Sequence, residues 1–187
     1  MKFLKKRPVA IILAIIIVIG STVISAHRHI QKECQELEDC FYTGAYNEER
    51  GSIDASINSQ IQVMLNSSLG VVSISSKYPQ LEEQTEILRE SRDNLNREGE
   101  ISSKYQPYSV LIDDFAILVS SLREIELSDS DSENLSSYVR KFEGAQNVIA
   151  KSTYNDNIRK FKREYLGSFP VNFLKHIAFV REPSLFE

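Results

Sequence analysis

The feature that most constrains this chain is a run of eighteen residues, 9–26, that opens at Val9, closes at Ala26 and holds no charged side chain. Wound as an α-helix at about 1.5 Å per residue it spans roughly 27 Å, close to the hydrocarbon thickness of a bilayer. The run therefore reads as a single N-terminal transmembrane helix. Lys2, Lys5, Lys6 and Arg7 precede it with no acid among them, whereas only Arg28 and Lys32 follow closely. Cations favour the cytoplasmic flank, which places the amino terminus in the cytoplasm and the body on the far side. The expected organisation is a basic cytoplasmic tail at 1–8, a transmembrane signal anchor at 9–26 and a soluble helical bundle domain at 27–187. A cleaved signal peptide is the rival reading. Its apolar core is usually about 7–15 residues, and cleavage after Ala26 would put Ile24 where a small residue is preferred. A buried core helix is the other alternative, but this run has no polar face.

With those four cations set aside, 18 basic residues face 26 acidic ones. An acidic body repels phosphate backbones, so no nucleic-acid partner is expected. Seven Gly, five Pro and no Trp in 187 residues suit long regular segments better than a turn-rich sandwich. The fold class expected is all-α.

Cys34 and Cys40 are six apart, on different turns of a straight helix and too distant for a disulfide. Ile30, Cys34, Leu37 and Phe41 recur at helical spacing, which makes Cys34 a small core residue. His27, His29, Cys34 and Cys40 match no standard metal-ligand spacing, so neither metal nor cofactor is expected.

Apolar periodicity divides the rest into long helices. From Tyr46 a stripe through Ile53, Ile57, Ile61, Met64 or Leu65 and Val72 predicts one long helix, although Gly70 and the alternation near Val72 and Ile74 also suit a strand. Tyr78-Pro79 ends or kinks it. Leu81, Leu88 and Leu95 mark a second helix that Gly99 terminates. A third starts around Pro107 and carries Tyr108, Leu111, Phe115, Leu118 and Leu122. Its Asp113 and Asp114 diverge by about 100° and read as one solvated and one seam-edge carboxylate rather than an acid/base pair. Residues 128–133 form a polar loop, with Ser130 and Glu133 spaced as a capping box. A fourth helix of roughly 30 residues runs from Leu135 through Phe142 and Ile149 to Tyr154, Ile158 and Tyr165, shifting phase slightly on the way. Gly167 stops it, and a short amphipathic helix containing His176 follows Phe169-Pro170. His176 has no nucleophile fixed near it by sequence. Long elements joined by short loops predict an antiparallel up-and-down bundle.

Tyr154-Asn155-Asp156-x-Ile158-Arg159-x-Phe161, then Phe169-Pro170-x-Asn172 and a stretch from Phe179 to Phe186, resemble the closing region of the LemA family. Tyr46-Asn47 followed by residues 60–65 resembles that family's first long helix more weakly. The chain departs from the family pattern after Leu65, at Lys162 and over 128–133, and so resembles a divergent member. The resemblance implies a membrane-anchored helical bundle with no established enzymatic activity. It also singles out Tyr154, Asn155, Phe161, Phe169, Pro170, Asn172, Phe179 and Phe186 as motif residues, structural or interacting. No nucleophile, base or ligand set is clustered in sequence, and no catalytic residue is nominated. The expectation is a non-enzymatic interaction or scaffold protein of the envelope, held in the membrane by its N-terminal helix and engaging protein partners or copies of itself. The alternatives are an extracytoplasmic sensor with a small-ligand pocket between helices, where Asn155 and Asp114 are the nearest seam polar residues, and a hydrolase or metal enzyme.

Overall fold

The computed structural model describes residues 7–187. Lys2, Lys5 and Lys6, which carry most of the expected basic tail, lie outside the described residues. The protein is all-α: seven α-helices and a single two-stranded hairpin account for its regular structure among the described residues, apart from one 3-10 turn and one π-helical turn. The first helix, α1 (Arg7–Thr43), is unbroken over 37 residues. Its apolar stretch is long enough to cross a membrane and is covered by no other part of the described residues. Ile11, Ile16 and Ile19 stand exposed, so this is not a core helix.

Two compact units follow from the packing. The larger comprises Asp39–Asn155 and Ser184–Glu187. It is a bundle of α2 (Ile57–Ser75), α3 (Glu82–Arg97), α4 (Ile101–Arg123) and α5 (Asp129–Ala150), in which α2 packs mainly on α5, and α3 on α4. Short connections make successive helices antiparallel. Leu88, Leu111, Leu118 and Leu122 are completely buried, and the Phe115 and Phe142 rings stack at 3.7 Å.

Residues 46–53 differ from the single long helix expected there. Tyr46–Asn47 (β1) pairs with Ser52–Ile53 (β2) in an antiparallel hairpin. The buried Asn47 accepts the Glu49 and Arg50 N–H groups at Oδ1, at 3.0 and 3.1 Å, and this side-chain competition for the backbone turns the chain. Gly44, at φ +100°, lets α1 end, since a β-carbon there would strike the Asp54 carbonyl. Helix α2 then begins at Ile57, capped by Ser56, which accepts the Ser59 N–H at 3.1 Å.

Gly70 belongs to α2 rather than to a strand. The Tyr138 ring of α5 lies against it, in space a β-carbon would fill. Helix α4 starts at Ile101, six residues before Pro107, which sits inside it. Proline favours the first turn, but here the Tyr108 to Leu122 stripe is extended back by the buried Ile101. The cap of α5 is Ser128, accepting the Asp131 N–H at 3.1 Å, two residues ahead of the expected Ser130. The expected fourth helix is interrupted at 151–153, which accounts for its phase shift; α6 (Tyr154–Phe161) starts afresh after it.

The smaller unit comprises the chain up to Glu38 and Asp156–Pro183. Here α6 runs into a π-helical turn, Lys162–Leu166, and α7 (Val171–Ile177) follows. Ile30, Cys34 and Leu166 form its core, with Ala26, Phe161, Val171, Leu174 and Val180 packed around them. His27 Nδ1 donates to the Ala178 carbonyl at 2.7 Å, and Gln31 Oε1 accepts the Arg181 N–H at 2.9 Å. Neither cysteine forms a disulfide. Burial pushes the Cys34 thiol, two turns beyond the apolar run, up to about 11.

Candidate functional site

In the bundle unit, the first two residues of α6 hold the closing segment of the chain. Tyr154 is buried and its hydroxyl donates to the Ser184 carbonyl at 2.9 Å. Asn155 Nδ2 donates to the Phe186 carbonyl at 2.8 Å, while its Oδ1 accepts the Phe186 N–H at 2.9 Å. A primary amide offers one donor and one acceptor side by side, so this single side chain satisfies both polar groups of one peptide residue. The expected fourth helix runs through Asn155; the structure instead places it in the first turn of α6, paired with a non-helical segment.

That pairing fixes the Phe186 ring, which is 3% exposed. It packs against Phe41, Tyr105 and Tyr108 with centroids 5.5, 5.4 and 5.3 Å away. Phe41 in turn meets the Tyr154 ring edge-on at 5.7 Å. Burial pushes the Tyr108 hydroxyl up to about 12. This arrangement binds backbone and excludes water. It presents no nucleophile.

The other motif residues belong to the smaller unit. Phe161 is half-buried, its ring 4.9 Å from Tyr165. Phe169 and Phe179 are 84% and 88% exposed. Asn172 is also exposed; its N–H donates to the Ser168 carbonyl at 2.9 Å. Pro170 follows a cis peptide bond and stands exposed. Of the eight, therefore, Tyr154, Asn155 and Phe186 come together at one place.

Two polar centres escaped the sequence reading. Asp54 accepts from Asn47 Nδ2 at 3.2 Å and pairs with Arg50 at 3.1 Å. Asp131 pairs with Lys77 Nζ at 2.6 Å and accepts from the Tyr78 hydroxyl at 3.3 Å. The Lys77 hydrogen bond holds the Asp131 carboxyl below the usual carboxylate range. Asn47, inside the Tyr46-Asn47 pair, is a sequence signal for the first of them.

The bundle's cavities are open and polar. One of about 450 Å³ opens between α3 and α4, lined by Ser91, Asn94, Glu98, Ser103, Gln106, Pro107 and Val110. Asp114, half-buried nearby, accepts a hydrogen bond from Ser91 Oγ. A second, of about 310 Å³, lies at the start of α3, where Arg89 and Glu86 pair with each other. Both seam residues that would have marked a ligand pocket, Asn155 and Asp114, are thus engaged within the protein. Ile87, Val110 and Ile117 leave an apolar strip exposed on the α3–α4 face. Among the described residues, no group of three or more His, Cys, Asp or Glu side chains could hold a metal ion. No family model, no curated protein and no solved structure matches this chain.

Proposed function

We propose that this chain is a single-pass membrane protein of the LemA type that acts without catalysis, as an interaction or scaffold protein of the envelope. On this reading its amino terminus is cytoplasmic and its helical body lies outside the cytoplasm. The observation that carries it is α1 itself. One unbroken helix joins an apolar stretch that nothing among the described residues covers to Ile30 and Cys34, which are core residues of the folded body. Such a helix runs from the anchor directly into the core of the smaller unit.

The partner-facing part rests on the exposed strip of Ile87, Val110 and Ile117, because apolar patches rimmed by polar residues mark contact surfaces. Partners are other proteins or further copies of this chain. A photo-crosslinking residue at Ile117 of the full chain in its native membrane should yield a discrete adduct, whereas the same residue at the exposed Glu143 of α5 should not. Absence of adducts from Ile87, Val110 and Ile117 alike would remove the interaction reading. A reporter that works only outside the cytoplasm, fused after Glu187, should be active; activity only from a cytoplasm-restricted reporter would reverse the topology.

A further inference from the structure

Helix α7 is amphipathic: Val171, Phe173, Leu174 and Ile177 share one broad apolar face, and Asn172, Lys175 and His176 lie opposite. Val171 and Leu174 pack onto the Ile30 and Cys34 core. Beside them Phe173 and Ile177 stand exposed, as do Phe169 before the helix and Phe179 just beyond it. No carboxylate lies on α7, and Glu182 is taken up by Lys175 at 2.7 Å and Lys162 at 3.8 Å. Half of that apolar face thus stands open among the described residues.

Two observations identify the cover. The first is position: His27 donates to the Ala178 carbonyl and Ala26 packs into the same cluster as α7, so Phe179 lies level with the end of the apolar run 9–26. For a run that crosses a bilayer, that level is the boundary between acyl chains and headgroups. The second is backbone strain. Phe179 has φ +52° and occupies the left-handed position that closes α7, where the Val180 N–H reaches the Lys175 carbonyl at 3.0 Å. Glycine is the usual residue there, because a side chain raises the energy of that conformation. Here the strain is accepted for a ring that is 88% exposed.

We propose that α7 and its flanking phenylalanines form an interfacial foot. Phe169, Phe173, Ile177 and Phe179 insert into the headgroup boundary of the bilayer that the anchor crosses, as amphipathic helices do when they lie in that plane. This rests on the anchor reading of residues 9–26. It does not conflict with the acidic balance of the whole body, since the inserted face itself carries no acid.

The chain has no Trp, so one introduced tryptophan is a unique reporter. Full-length Phe173→Trp, Phe179→Trp and Ile17→Trp proteins are reconstituted separately into phosphatidylcholine vesicles, with or without lipid brominated near the headgroup or deep in the chain. The expected result is blue-shifted emission at 173 and 179 that headgroup-proximal bromine quenches, with Ile17→Trp quenched best by deep bromine. Quenching at 17 but not at 173 or 179 overturns the foot and leaves the anchor standing. Quenching at none of the three overturns the anchor, and the foot with it. A blue shift at 173 and 179 that bromine does not quench, and that fades as lipid dilutes the protein, means a second copy covers the face and also overturns the proposal.

Discussion

The two units treat their phenylalanines in opposite ways. In the bundle unit Phe41, Phe142 and Phe186 are all buried, and each has an aromatic neighbour. In the smaller unit Phe169, Phe173 and Phe179 are mostly exposed, although its core of Ile30, Cys34 and Leu166 is closed. An aromatic side chain carries a large apolar area, so burying it is the ordinary outcome. Leaving three exposed on one short segment shows that the smaller unit is not optimised for water alone. The bundle's aromatics hold the fold; those around α7 need a different account, and the membrane boundary supplies one.

The most severe way to break this comparison is Phe186→Ala. Removing a buried Phe costs about 3–5 kcal/mol, and here it also strips Phe41, Tyr105 and Tyr108 of their shared neighbour. Denaturant melts of the full chain in detergent should show that loss, with the near-ultraviolet dichroism of the tyrosines collapsing in step. A loss below about 1 kcal/mol would make the closing segment an appendage rather than a part of the bundle.

Thiol chemistry tests whether the smaller unit is closed on its inner side. The reacting species is the thiolate. With Cys34 raised from 9.0 to about 11, its thiolate fraction near neutral pH is lowered on the order of 100-fold. Cys40, also raised by burial, is only partly covered. Labelling of the native protein should therefore be slowest at Cys34, with its rate rising as pH climbs toward 11. Rapid labelling at Cys34 would mean that the core around it opens.

Asn155→Ala comes next. Two backbone groups of Phe186 lose their partner, at a cost of about 1–3 kcal/mol. Asn155→Asp is the sharper variant: it keeps an acceptor for the Phe186 N–H and loses the donor to the Phe186 carbonyl, so it should approach wild type only below about pH 4, where an ordinary Asp carboxyl is protonated and regains a donor. Equal melts for all three would leave the tail held by the Phe186 ring alone.

What could be read from the residues alone follows from how local each cause is. The helices carrying Leu88 and Leu95, Leu111 and Leu122, or Leu135 and Phe142 declare themselves, because each stripe is a repeated local pattern that the bundle buries. The hairpin at 46–53 was hidden because Ile53 and Ile57 happen to keep helical spacing, while the cause of the turn is a single side chain, Asn47, folding back on its own backbone. Residues 151–153 look helical to a periodicity count, which sees only a phase shift. The motif at Tyr154 and Asn155 was visible, but its partner was not: a side chain that grips backbone at Phe186 leaves no mark on the residue types 31 positions away. Phe179 is the extreme case, since its left-handed conformation is one that the sequence rules reserve for glycine.

The smallest effects belong to the exposed phenylalanines and sharpen the contrast most. A side chain that stays uncovered in the folded protein makes nearly the same contacts folded and unfolded, so Phe169→Ser and Phe173→Ser should change the melt by no more than about 0.5 kcal/mol in detergent. Phe179→Gly goes further and reverses the sign. Glycine adopts positive φ without the steric penalty that Phe179 bears at +52°, and the ring it removes is 88% exposed. The gain is limited by the extra freedom glycine has when unfolded, which leaves about 0.5 kcal/mol or less in favour of the variant. A stabilised Phe179→Gly protein that binds vesicles through its anchor alone would separate the two roles: the ring is kept at this position against the interest of the fold. A destabilised one would mean that the Phe179 ring is packed after all, and the smaller unit would then resemble the bundle rather than contrast with it.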